Sequence, residues 1–266
     1  MEQSQLLEMI KHNPQAIVSV EHPTEEMKLL AVRRNGLLLE HIPDATVQLQ
    51  EEALNNNTLA IKYIKNPTES MMMKAVTGGW VNLEYIKNPT DAVVRLALAQ
   101  AGWAIKYLEN PSEELQLIAV RKNYDAIRFI RNPFPSVQEA AVRSNYEALR
   151  FIKDPTHSTE LIAIYHNEGA FPFLPSPDKQ KIIEFLKVNY LVIKYVFREI
   201  TKNELEDILK EVFSCEEPDE KYIRYFLNYN SSDAVYFSQL DKLKLLRTYG
   251  SRKAKKIAVD ERLKIK

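Results

Sequence analysis

The chain has 266 residues, 45% hydrophobic and 27% charged, and its 36 Lys and Arg balance 36 Asp and Glu. This composition is typical of a folded chain and excludes a disordered or fibrous one. No apolar run approaches the ~20 residues that a membrane span needs, and the acidic start is not that of a signal peptide. The single cysteine, Cys215, excludes a disulfide framework and a multi-cysteine zinc site.

The neutral total is the sum of two unlike parts. Residues 241–266 contain ten Lys/Arg and three Asp/Glu, a balance of +7. The other 240 residues contain 26 basic and 33 acidic side chains, a balance of −7. This asymmetry is more informative than the total, because a basic segment needs an acidic surface, in this chain or in a partner.

A 22-residue repeat occupies most of the chain. Alanine followed by an aliphatic residue recurs with this period, as do proline, asparagine and an aromatic residue. The alanines are Ala31, Ala53, Ala75, Ala97, Ala119, Ala141 and Ala163. About eight units fill residues 1–177, and a weaker ninth runs to about 199. A fixed period of this length indicates a repeat architecture.

Each unit is predicted to contain two helices. In Asn66-Pro67-Thr68-Glu69 the Asn is the expected N-cap, the proline the first helical residue, and the acid favours the positive helix end. The Asn that follows the first helix is expected in the left-handed conformation that stops it. A shorter second helix follows, as in residues 126–130.

One such unit is too small to bury its apolar face, so neighbours must stack. The predicted fold is therefore all-α: a right-handed α-solenoid of helix-turn-helix repeats over residues 1–199. A non-repeat helical cap is predicted over 200–250, with helices near 202–214, 218–229 and 232–248. Residues 251–266 form a basic tail or terminal helix, which either folds back on the acidic segment 204–233 or stays free.

The pattern Asn-Pro-Ser/Thr-x6-Ala-Val-Arg-x-Asn-x-x-Ala-Ile-x-Tyr/Phe-Ile, as in Asn110 to Ile130, resembles short helical repeats of bacterial and phage proteins. It is similar to the DUF4116-type repeat and, more loosely, to the leucine-rich repeat variant and HEAT families. The resemblance implies a helical array that serves as a binding surface, and it implies no catalytic motif. It also implies a phage-type regulator or inhibitor that binds a bacterial host protein.

Two surfaces are candidates for partner binding. One column of the first helix is predicted to be exposed and is apolar only at Met72 and Val94. The position that follows the asparagine position of each repeat lies in the turn between the two helices, and it is aromatic at Trp80, Tyr124 and Tyr146; Trp103 lies one position further along its turn. A basic row lies near the ends of the first helices. Clustered Trp, Met and Arg favour an interface, whereas local packing and helix-dipole compensation are the alternatives. The predicted partner-binding residues are Met72, Trp80, Val94, Trp103, Arg121, Tyr124, Arg143 and Tyr146; the basic row also includes Arg33, Arg34, Lys122 and Lys187.

No catalytic site, metal site, cofactor or small-molecule substrate is predicted. The five histidines lack the i,i+4 spacing of a helical metal site, and the carboxylates beside Cys215 oppose its activation, so it is expected in the core or in a cap. The prediction is a cytoplasmic, non-enzymatic protein-interaction module.

Two alternatives use nucleic acid. In the first, the basic tail binds it through Arg252, Lys253, Lys255 and Lys256. In the second, the chain is a HEAT-like DNA glycosylase. Its site would then comprise Trp80, Trp103, Arg121, Tyr124, Arg143 and Tyr146. The net negative charge of residues 1–240 opposes the second alternative.

Overall fold

The computed structural model describes residues 3–229 and 241–263, and every regular element in these ranges is a helix. The all-α prediction is confirmed. The chain divides into two compact units, Met1–Val137 (unit 1) and Gln138–Lys266 (unit 2). The α-helices are α1 Gln3–His12, α2 Glu25–Arg34, α3 Val47–Asn56, α4 Glu69–Gly78, α5 Asp91–Gln100, α6 Glu113–Lys122, α7 Pro135–Ser144, α8 His157–His166, α9 Lys179–Val188, α10 Ile193–Val196, α11 Lys202–Ser214, α12 Glu220–Asn228, α13 Lys242–Tyr249 and α14 Arg252–Leu263.

The shorter second helix of each repeat is a 3₁₀ helix. Six residues long in most repeats, it follows the α-helix after a single residue. The 3₁₀ helices are Pro14–Ser19, Gly36–His41, Thr58–Tyr63, Trp80–Tyr85, Gly102–Tyr107, Tyr124–Phe129, Tyr146–Phe151, Glu168–Phe173 and Tyr190–Val192. In unit 1 each α-helix from α1 to α5 packs on the next, and the 3₁₀ helices from Gly36–His41 to Tyr124–Phe129 also pack on one another in order.

The α-helices begin two residues later than the Asn-Pro pattern predicts. Thr68, not Asn66, is the N-cap of α4, and its hydroxyl accepts a hydrogen bond from the backbone N–H of Met71 at 3.3 Å. The same arrangement caps α6 at Ser112. The hydroxyl can reach the third N–H of the helix, whereas the proline lies before the cap, in the turn.

The recurrent asparagine was also assigned the wrong conformation. Asn57 is extended, with φ −146°, and none of the residues that the structure describes lies in the left-handed region. Its side chain accepts a hydrogen bond from the backbone N–H of Leu59 at 3.0 Å and so caps the 3₁₀ helix. The asparagine is therefore both the C-cap residue of the first helix, through its backbone N–H, and the side-chain cap of the second.

The core consists of short apolar rows inside each repeat. All seven alanines of the repeat column are fully buried, and so are most of the aliphatic residues that follow them. The third and fourth residues of the 3₁₀ helices are buried as well, for example Ala60 and Ile61. Because alanine is small, it lets neighbouring helices approach closely.

The C-terminal helices of unit 2 agree with the prediction where they are described. The helix predicted over 202–214 is α11, the one predicted over 218–229 is α12, and the third is α13, although residues 232–240 of that prediction lie outside the described residues. Cys215 is exposed and is the C-cap residue of α11, so it lies in a cap rather than in the core.

The basic tail forms α14, which packs on α12. Ala254, Ile257 and Ala258 are buried in this contact region, and Asn228 donates a hydrogen bond to Glu261 at 2.7 Å. The folded-back alternative is therefore the arrangement of residues 252–263. None of the helices in the described ranges has the length and apolar character that crossing a bilayer requires.

Gly102→Ala is expected to lower the free energy of unfolding by about 1–3 kcal/mol, because overpacking at a backbone contact forces a shift. An added Cβ would lie 2.2 Å from the carbonyl oxygen of Ala119 in the next repeat. Gly79→Ala is the matched control, since its nearest neighbour would be Val81 Cγ2 at 3.8 Å. Urea unfolding followed by circular dichroism measures both; equal stability of the two variants would contradict the close approach.

Candidate functional site

The column predicted to be exposed is buried from repeat four onward. Met72 is 9% exposed and Val94 5% exposed. The polar members that follow, Gln116, Gln138 and Glu160, are buried too. The prediction of an exposed apolar pair was therefore wrong, because the turns between neighbouring repeats close over this column.

The glutamines of the column bond backbone groups of the neighbouring turns, and Gln116 bonds two successive turns. Gln50 donates through Nε2 to the carbonyl of Ala45 at 3.0 Å. Gln116 donates to the carbonyl of Pro111 at 3.0 Å, and its Oε1 accepts from the N–H of Phe134 in the next turn at 3.4 Å. The two apolar members of the column cannot make these bonds, so their repeats lack this connection.

Unit 2 places a charged group in the same column. Glu160 is 1% exposed, and its carboxylate lies 2.7 Å from the Nζ of Lys181 and 3.4 Å from His157 Nδ1. The other ring nitrogen of His157 lies 2.8 Å from Glu184. A buried carboxylate needs such partners, since an unpaired charge in the core is strongly destabilising.

The two tryptophans lie on the 3₁₀ helices of unit 1 and are half-buried. The Trp80 ring is 6.1 Å from that of Tyr107, and the Nζ of Lys106 lies 5.4 Å from the Trp80 ring. The indole N–H of Trp103 donates to Asp125 at 2.8 Å. Both tryptophans therefore contact the next repeat, while part of each side chain stays accessible.

The remaining predicted interface residues are divided between the units. Arg121 and Tyr124 belong to unit 1, and Arg143 and Tyr146 belong to unit 2. Both arginines are exposed and both tyrosines half-buried. The ring of Tyr146 stacks on that of Phe173 at a centroid distance of 6.3 Å. Trp80 and Tyr107 make the equivalent contact in unit 1.

Part of the basic row at the α-helix ends pairs with carboxylates of other helices. Arg33 lies 2.8 Å from Glu52 of α3, and Lys187 lies 2.6 Å from Glu211 of α11. The cations at these positions also complement the helix dipole. The row therefore has a local explanation at these positions.

A second exposed feature follows the 3₁₀ helices of unit 1. An aromatic residue ends four of them, and Tyr85 and Phe129 are 41% and 38% exposed. A basic residue precedes most of these aromatics. The aromatic–basic row of unit 1 comprises Lys62, Tyr63, Tyr85, Lys106, Tyr107, Arg128 and Phe129. The aromatic period is visible in the sequence, and the charged residue directly before each ring is the signal there that the ring is partly exposed.

The cations of this row lie over the rings. The Nζ of Lys62 is 4.6 Å from the Tyr63 ring centroid, and Lys106 is equally far from Tyr107. The Tyr63 hydroxyl donates to Glu40 at 2.9 Å. The hydrogen bond to Tyr63 and the attraction of Glu40 raise the pKa of Lys62, so this side chain is charged at neutral pH.

A groove of about 760 Å³ lies between two successive turns of unit 1; we call it the turn groove. Met72 lies in its lining, and Lys62, Lys65 and Lys87 also line it. Within the described ranges, none of these three lysines has a carboxylate at ion-pair distance. The groove therefore carries uncompensated positive charge beside an apolar group.

An equivalent groove two repeats further along has a different character. It has a volume of about 690 Å³, and Gln116 takes the place of the methionine. Its lining includes Glu109 as well as Arg131. The turn groove thus differs from its counterpart in two ways. Its member of the buried column is apolar, Met72, and its charged lining residues are all basic.

The predicted nucleic-acid residues lie on α14. Arg252, Lys253, Lys255 and Lys256 are all exposed, and Lys253 forms an ion pair with Glu217. Within the described part of the chain no cluster of three or more His, Cys, Asp or Glu side chains is arranged to hold a metal ion.

Comparison of the chain with protein-family models, with curated proteins and with solved structures gives no match. The likeness to DUF4116-type, leucine-rich repeat variant and HEAT repeats therefore stays a resemblance of the repeat pattern. The function has to be argued from the side chains themselves.

Lys181→Ala is expected to lower the free energy of unfolding by up to about 3 kcal/mol, since it leaves the buried carboxylate of Glu160 without its cation. Adding Glu160→Gln should recover most of the loss, because glutamine occupies this column in other repeats. A double-mutant cycle by chemical denaturation measures the coupling. Additive effects of the two substitutions would show that the ion pair does not compensate the buried charge.

Proposed function

We propose that this protein is a non-enzymatic protein-interaction module, in which stacked 22-residue repeats form an α-solenoid and the aromatic–basic row of unit 1 binds an acidic surface of a partner protein. The observation that carries the proposal is the contrast between the two kinds of cation in unit 1. Arg33 and Arg95 pair with carboxylates of the next α-helix. The lysines of the turn groove do not, although they lie beside exposed aromatic rings.

The side-chain types of the row are those that protein interfaces favour. Aromatic residues, Met and Arg are enriched in interface cores, and rings supply a large contact area at a low cost in conformational entropy. Lysines that form no ion pair within the described residues make the surface complementary to an acidic one. Both features occur together along the 3₁₀ helices of unit 1.

Interleaved carboxylates favour a protein partner over a nucleic acid. Glu84, Glu109 and Asp125 lie between the basic positions of the row. A protein that follows a phosphate backbone needs several uncompensated cations in succession, whereas a mixed pattern suits the mixed charges of a protein surface. The tail of α14 is a weaker nucleic-acid candidate, because Glu217 pairs with Lys253.

The finer identity of the partner comes from the resemblance of the repeats to those of bacterial and phage proteins. We include in the proposal a phage-type regulator or inhibitor that binds a bacterial host protein. A cytoplasmic location suits a chain with one cysteine and hence no internal disulfide.

Tyr85→Ala combined with Phe129→Ala is expected to reduce partner capture at least about fivefold, since hot spots of interfaces are dominated by a few aromatic residues. Tyr85 and Phe129 are 41% and 38% exposed, so each substitution should cost less stability than the about 3–5 kcal/mol of removing a fully buried ring. Cross-linking in the native host, followed by quantitative mass spectrometry of the captured proteins, measures the effect.

Val47→Ala is the control, because Val47 is an exposed apolar side chain on α3, outside the row. Capture that persists in the double variant would overturn the proposal. So would capture that nuclease treatment abolishes, or that is lost only when Arg252, Lys255 and Lys256 are changed to Glu.

A further inference from the structure

The repeat that contains Met72 leaves two backbone groups without the partner that other repeats supply. Gln116 donates to the carbonyl five residues earlier and accepts from an N–H eighteen residues later, and Gln138 accepts from the equivalent N–H, that of Thr156. The corresponding groups around Met72 are the carbonyl of Pro67 and the N–H of Thr90, and a thioether can bond neither of them well. Both therefore remain for solvent or a ligand.

One of these two residues, Pro67, lines the turn groove together with Met72, Ile64 and Ile86, whereas Thr90 lies outside the lining. A backbone acceptor beside an apolar surface matches what an extended peptide offers, since a peptide carries an N–H, a C=O and a side chain at each residue. A nucleic-acid strand has no equivalent of the alternating N–H and C=O.

The rim of the groove selects for negative charge. Lys65 and Lys87 line opposite turns of the groove, one in each repeat. In the described part of the chain neither has an ion-pair partner. Lys62 adds a third positive charge on the first turn, and no carboxylate belongs to the lining.

We infer that the turn groove binds an extended acidic segment of a partner protein, with one large apolar side chain of that segment resting on Met72 and flanking carboxylates paired with Lys65 and Lys87. An N–H of the peptide backbone donates to the carbonyl of Pro67. This inference rests on the proposed function and specifies the chemistry of the partner at one place on the row.

The test begins with selection from a display library of random 16-residue peptides on the full chain. The expected result is enrichment of sequences with a Leu, Ile, Met or Phe between Asp or Glu residues. Enriched sequences without acidic residues would overturn the inference, as would a failure to enrich any sequence over selection on a Lys65→Glu/Lys87→Glu variant.

Met72→Gln separates the groove from the rest of the row. The introduced amide is expected to bond Pro67 and Thr90 as the glutamines do in other repeats, which keeps the fold and removes the apolar part of the groove. Affinity for a selected peptide, measured by fluorescence anisotropy, should fall at least about tenfold, a change of about 1.4 kcal/mol.

Val94→Gln is the matched control, since it makes the same kind of change one repeat further along and Val94 does not line the groove. It should alter the affinity less than about twofold, and so should Lys74→Glu on α4. Equal affinity of wild type and Met72→Gln would overturn the inference. If a single-stranded oligonucleotide displaces the bound peptide at a lower concentration than the unlabelled peptide does, the groove binds nucleic acid and the inference is overturned.

The two proposals fail in different ways. If Met72→Gln leaves peptide affinity and partner capture unchanged while the Tyr85/Phe129 variant loses capture, the groove inference is wrong and the proposed function stands. If the Tyr85/Phe129 variant keeps full capture, the proposed function is wrong, whatever the peptides do.

Discussion

The buried alanine column is the constraint on which the repeats depend. All seven alanines are inaccessible, and in several repeats the alanine carbonyl accepts the N–H of the asparagine that follows, for example Ala53 from Asn57 at 2.8 Å. At Gly36 and Gly102 the backbone of one repeat comes so close to the alanine carbonyl of the next that a Cβ would lie 2.2 Å from it. A larger side chain at the alanine would separate the helices, and the bonds between repeats would be lost.

The aromatic residues that end the 3₁₀ helices are only partly covered by this packing. Side chains three apart in a 3₁₀ helix lie on the same side, so the last residue shares a side with the buried third one, as Tyr85 does with Asn82. The third position is nevertheless buried and the last is not: Tyr85 is 41% and Phe129 38% exposed. In unit 1 the repeat thus presents a partly exposed aromatic ring at the end of four successive 3₁₀ helices.

The charges of unit 1 divide according to the same geometry. Two arginines on the α-helices, Arg33 and Arg95, meet carboxylates of the next α-helix, Glu52 and Glu114. Exposed pairs of this kind contribute little to stability, but they leave no net charge. Cations in the turns, such as Lys65 and Lys87, meet no carboxylate within the described residues, so the local excess of positive charge lies in the turn groove although the whole chain is neutral. The proposals of an acidic partner and of an acidic peptide both depend on this local excess.

The sequence by itself determined the repeat length, the all-helical class, the alanine core and the terminal helices, because each depends on local patterns that recur without change. It did not determine which residue of Asn-Pro-Thr caps the helix, since Asn66 and Thr68 are both good caps and only the backbone path shows that the threonine reaches the free N–H.

The sequence also misplaced Met72 and Val94, which lie on a helix face that looks exposed in one repeat. Burial of that face depends on the turns of neighbouring repeats. The groove beside Met72 is likewise a property of two repeats together, formed by turns that are 22 residues apart in the chain, and only the tertiary structure could reveal it.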